Sequence, residues 1–170
     1  MIAADRARRP HPAVVNGDPH DRTARNPTLE QALGVFARAY ENRAQWKGQP
    51  AIFHPLRLML TLDRDDERIA ALFHDLCHDC KDWSPARMAG EGFPASLTEA
   101  VDALTRRDGE DRIRYLQRLS ANDLARRVKL AELIQGRHAM PPPPHSPEQI
   151  ERLALYAREI PMLETATQSG

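Results

Sequence analysis

Ala70-Ala71-Leu72-Phe73-His74-Asp75-Leu76-Cys77-His78-Asp79 is an apolar run that closes on two His-Asp pairs. Ile69, Leu72, Phe73, Leu76 and Cys77 fall at helical spacing, and the acidic Asp65-Asp66 suits the start of that helix. Residues four apart share a helix face, so one continuous helix stacks His78 over His74 and Asp79 over Asp75. A neutral imidazole nitrogen and a carboxylate oxygen are both good ligands for a divalent metal. The cluster therefore points to metal chemistry at the end of a buried helix.

The flanking sequence repeats the helical pattern. Thr28-Leu29-Glu30-Gln31 predicts a capping box, followed by an apolar stripe through Phe36 to Tyr40. Gly48 to Pro50 predicts a turn, and Pro55 belongs in the first turn of a helix carrying Leu56, Leu58, Met59 and Leu62. Ser84-Pro85 opens a short helix that Gly90 and Gly92 end. Ser96-Leu97-Thr98-Glu99 reads as a second capping box, opening a helix with Leu97, Val101 and Leu104 inward. Helical patterns follow from Asp111 to Leu119 and, capped by Asn122, from Asp123 to Ile134. Ser146-Pro147-Glu148-Gln149 caps a last helix, which Pro161 is expected to terminate or kink. No segment alternates convincingly at period two, so the fold class is all-α, a bundle of about seven helices.

The chain has 170 residues, enough for one domain with a real core. Residues 1–27 are expected to form a disordered arm, 28–160 the folded domain and 161–170 a tail. Lys plus Arg (24) balance Asp plus Glu (24), which gives no charge footprint for nucleic acid or an anionic membrane. Arg126-Arg127 and Arg106-Arg107 are expected on solvated helix faces, with few aromatics to interleave with bases. No apolar run approaches the roughly 20 residues needed to span a bilayer, and the N-terminus lacks a signal-peptide core. The two cysteines, Cys77 and Cys80, are too few for a secreted disulfide scaffold, so a cytoplasmic protein is expected. Cys77 falls on the apolar stripe and Cys80 outside it. A structural zinc site at this C-x-x-C lacks a second ligand pair.

A hydrolytic metal site draws ligands from several elements and keeps one position open for water. The candidates are His54, His74, Asp75 and a later acid, Glu132, which lies among apolar residues in Val128-Lys129-Leu130-Ala131-Glu132-Leu133. A carboxylate in such surroundings is rarely buried without a partner. Each has a bland reading: a turn histidine for His54, a chance dipeptide for His74-Asp75, and a surface pair with Arg126 or Lys129 for Glu132. The joint pattern carries the case.

Four segments occur in a telling order: His54-Pro55-Leu56-Arg57, Ile69 through Asp75, Val101-Asp102-Ala103-Leu104-Thr105-Arg106, and Ala125 through Glu132. Over residues 28 to 160 the chain resembles the HD-domain metal-dependent phosphohydrolases, more narrowly the RelA/SpoT-type (p)ppGpp hydrolase domain and the small alarmone hydrolases. The resemblance implies an HD-domain helical bundle and one divalent ion, Mn2+. It also implies removal of the 3′-pyrophosphate from (p)ppGpp-type alarmones. By the match, His54, His74, Asp75 and Glu132 take the metal positions, Glu132 where the family has Asp. His78 and Asp79 stand where the family has the Glu-Asp pair that orients the attacking water, so they are the expected catalytic residues. Lys47, Arg43 and Lys129 are the expected phosphate contacts, and Gly136 replaces an Asn that the family uses near the nucleotide. The expected partner is a small-molecule nucleotide, not nucleic acid or membrane, and a homodimer stays open. Two alternatives stand beside this: a phosphohydrolase of another nucleotide (a dinucleotide phosphate or nucleoside monophosphate), and a weakened metal- or nucleotide-binding regulatory module.

Overall fold

The computed structural model describes residues 27–41, 45–46, 49–80 and 82–166; the expected disordered arm therefore falls, but for Pro27, outside the described residues. In chain order the elements are α1 (Leu29–Ala39), a minimal antiparallel hairpin of β1 (Gln45–Trp46) and β2 (Gln49–Pro50), α2 (Phe53–Met59), α3 (Asp65–Phe73) and the single turn α4 (Leu76–Asp79). Then come α5 (Pro85–Gly90), α6 (Ala95–Leu104), α7 (Arg112–Ser120), α8 (Asp123–His138) and α9 (Pro147–Thr165). The all-α class is borne out.

Local capping explains most helix starts. Thr28 and Ser146 form full capping boxes with Gln31 and Gln149, each side chain meeting the other residue's backbone N–H. Ser84, Asp111 and Asn122 accept backbone N–H groups of the turns they open. The expected box at Ser96 does not form. The helix begins two residues earlier, at Ala95 with Pro94 as its N-cap, and Thr98 donates its hydroxyl to the Ala95 carbonyl from inside the helix. That start still turns Leu97, Val101 and Leu104 into the core.

Helix α3 is the centre of the bundle, packed on α1, α2, α6 and α8. Ala70, Ala71, Leu72 and Phe73 are fully buried, the small alanines letting neighbouring backbones approach. Phe73 meets the rings of Phe36, Trp83 and Phe93 at 6.4, 6.0 and 5.0 Å. α9 runs against α8 and continues through Pro161 to Thr165, so the expected stop and tail boundary are corrected. Ile160 and Leu163 are buried on either side of the proline. Among the described residues no helix is long and apolar enough to cross a membrane.

The expected solvated arginine pair is also corrected. Arg126 is buried, with its guanidinium donating to the Leu163 carbonyl at 3.2 Å and paired with Asp123. Arg127 reaches from α8 to Glu67 of α3 at 2.6 Å and also pairs with Asp123. These charges tie α8 to α3 and α9. Arg106 and Arg107 follow the end of α6, where the Arg106 guanidinium donates to the Glu110 carbonyl.

Candidate metal centre

The helix predicted through Asp79 breaks within the opening motif. α3 ends at Phe73, His74 is its C-cap, and Asp75 caps the start of α4. The His78 amide donates to the Asp75 carbonyl, three residues back instead of four, at 3.0 Å. This tightened turn shifts the register. His74 is buried and His78 exposed, so the two do not stack on one face. The same shift buries Cys80 fully, with its Sγ 3.8 Å from the Ala39 carbonyl, and leaves Cys77 half-buried. Burial pushes the Cys77 thiol up to about 11, an inert thiol at neutral pH.

His74 is held by its surroundings. Its Nδ1 lies 2.7 Å from the Ala71 carbonyl. A carbonyl oxygen only accepts, so Nδ1 carries the hydrogen and Nε2 is left to face the cluster. His54, in the first turn of α2, brings its Nε2 to 3.3 Å from His74 Nε2. Asp75 Oδ2 lies 3.1 Å from His74 Nε2 and 3.6 Å from His54 Nε2. Three donors each about 2.1 Å from one ion stand roughly 3.0–3.4 Å apart, depending on octahedral or tetrahedral geometry. Two sides of the observed triangle, 3.1 and 3.3 Å, fall in that range and the third, 3.6 Å, lies just beyond it. The Asp75 side chain is 42% exposed, so the cluster opens to solvent on its side.

The electrostatics suit a cation. Burial opposes a charged His74, but the charge and hydrogen bond of Asp75, then Glu132 and the Ala71 carbonyl, outweigh it and raise the imidazole to about 9. Burial likewise opposes charge on Asp75, yet His74 beside it holds the carboxyl well below the usual carboxylate range. Burial and the charge of His74 push His54 down, which favours its neutral ring, the form that can ligate a metal. A proton and a metal ion compete for the same place between these atoms.

Glu132 comes from the middle of α8, with Oε2 3.9 Å from His74 Nε2. Both of its oxygens are held by the Lys129 ammonium, at 2.8 and 2.9 Å. Lys129 is thus engaged inside the site, not projecting as the expected phosphate contact. His54, His74 and Asp75 form the group whose ligand atoms all lie within 4.8 Å of one another; Glu132 does not join it, nor do the cysteines. Arg43, Lys47 and the Asp79 side chain lie outside the described residues. Sequence reasoning missed Tyr156 of α9. A Cβ on Gly136, one turn beyond Glu132, would lie 2.4 Å from the Tyr156 hydroxyl, so glycine there lets the ring pack on α8. Only the coincidence of a helix-interior glycine with an unassigned tyrosine signalled it.

No protein-family model and no curated protein matches the chain, so the functional reading is carried by its own residues.

Proposed function

We propose that this protein is a divalent-metal-dependent phosphohydrolase acting on a nucleotide in the cytoplasm. The observation that carries the reading is the His54–His74–Asp75 triangle, two imidazole nitrogens and a carboxylate oxygen within 3.6 Å of one another. A bound ion, Mn2+ by the resemblance, supplies charge that offsets a phosphate oxygen and activates water. This chain's part is to hold that ion with His54, His74 and Asp75. The Ala71 carbonyl fixes the His74 ring, and the exposed flank of Asp75 admits the substrate. The 3′-pyrophosphate of a (p)ppGpp-type alarmone is the first substrate to test.

A second reading keeps the chemistry and changes the nucleotide. It is favoured by Gly136, where the resembling hydrolases carry an Asn near the nucleotide and this chain instead admits Tyr156. The test is a hydrolysis panel in added Mn2+: guanosine tetraphosphate, nicotinamide dinucleotide phosphate and nucleoside monophosphates. Pyrophosphate release from the alarmone supports the first reading, and orthophosphate release from the others supports the second. A metal-loaded protein that hydrolyses none of them sinks both and leaves a binding module.

A further inference from the structure

We propose that Glu132 orients the attacking water and does not bind the metal ion. The proposal rests on the metal-hydrolase reading above and assigns one acid within it. Ligands about 2.1 Å from one ion stand roughly 3.0–3.4 Å apart when adjacent and at most about 4.2 Å apart when opposite. Glu132 comes to 3.9 Å from His74 Nε2, but it does not join His54, His74 and Asp75 in the group whose ligand atoms all lie within 4.8 Å of one another, a wider span than one ion bridges. An acid beside a ligand but outside the ligand group is placed to accept a hydrogen bond from a water that such an ion would hold.

Lys129 explains why Glu132 stays there. Its ammonium straddles the carboxylate, 2.8 Å from Oε1 and 2.9 Å from Oε2, one turn earlier on the same helix. The Lys129 side chain is 12% exposed, so solvent does little to loosen the pair. A carboxylate offers about four lone-pair sites, so the ammonium leaves Glu132 with capacity to accept from water. His78, expected in the water-orienting layer, is exposed on α4. Glu132 is the carboxylate that faces His74 from across the cluster.

Mn2+ affinity, read by electron paramagnetic resonance, separates a ligand from a water-orienting residue. Glu132→Gln is expected to keep Mn2+ affinity within about tenfold of the wild type while turnover falls about 100-fold. His74→Ala, measured beside it, is expected to lose affinity by well over 100-fold. Loss of Mn2+ from Glu132→Gln to the same extent as His74→Ala would overturn the proposal, as would retained Mn2+ with undiminished turnover. Lys129→Met gives a second arm. Freed from its clamp, Glu132 is expected to reach the ion and raise Mn2+ affinity about tenfold. Unchanged or weaker affinity in that variant contradicts the clamp. An inactive or metal-free wild type defeats the hydrolase reading itself, whereas an active wild type with a metal-deficient Glu132→Gln defeats the assignment of Glu132 alone.

Discussion

His54 Nε2 and His74 Nε2 lie 3.3 Å apart although twenty residues separate them in the chain. The start of α2 meets the end of α3 because consecutive helices joined by a short connection pack antiparallel. Leu58 of α2 and Ile69 and Leu72 of α3 are buried in the core that holds the pair together. The site is therefore built on packing, and packing defects should reach it.

Leu58 is fully buried one turn after His54. Leu58→Ala is expected to cost about 2–5 kcal/mol of stability, read by urea denaturation, and to weaken Mn2+ binding without touching a ligand. Lost stability with unchanged Mn2+ affinity would show that the site does not depend on the α2–α3 contact.

Arg112 of α7 holds the fully buried Glu159 of α9 through two hydrogen bonds of 2.8 and 2.6 Å. Arg112→Ala leaves that carboxylate with the exposed Arg158, at 3.5 Å, and is expected to cost about 3–5 kcal/mol. Replacing both partners, Arg112→Met with Glu159→Leu, should recover most of the loss in the same denaturation experiment.

Glu110 accepts from the Arg118 guanidinium and the Arg107 amide, which together hold its carboxyl down to about 2. A carboxyl depressed in the fold stabilises above its unfolded value of 4.5, and that contribution is lost as pH falls toward 2. Glu110→Gln should therefore be less stable than the wild type at pH 7, and the gap should close as pH falls from about 4.5 to 2. A gap of constant size across that window would contradict the ion pair's part.

What could be read from the sequence was what is decided locally. The caps at Thr28, Ser84, Asn122 and Ser146 need only neighbouring residues, and all four form. The joint recurrence of His54, His74 and Asp75 with Glu132 also pointed to one place, where the chain does gather them. The break at His74-Asp75 was not legible, because one hydrogen bond slipping from four residues to three leaves no mark in apolar spacing. From that slip follow the exposure of His78 and the exchanged burial of Cys77 and Cys80. The burial of Arg126 depends on a carbonyl 37 residues away, beyond any local pattern. The passage of α9 through Pro161 likewise goes with distant packing, since Ile160 and Leu163 are buried on either side of the proline.

Gly136 is a helix-interior glycine with a neighbour in its way. Gly136→Ala would gain about 1 kcal/mol of helix propensity, but the new Cβ lies 2.4 Å from the Tyr156 hydroxyl and forces the ring to move. Overpacking of this kind costs about 1–3 kcal/mol, so a net loss of thermal stability is expected. In a Tyr156→Leu background the same substitution should become stabilising, and a gain in both backgrounds would show that the contact is soft.

The central claim is that His54, His74 and Asp75 together hold one divalent ion. The direct measurement is the Mn2+ stoichiometry and affinity of the metal-stripped protein, taken beside His54→Ala, His74→Ala and Asp75→Ala, each checked for folding by circular dichroism. One Mn2+ per chain in the wild type, with affinity lost in all three folded variants, is the expected result. A wild type that takes up no divalent metal, or variants that bind it as tightly, would contradict the claim.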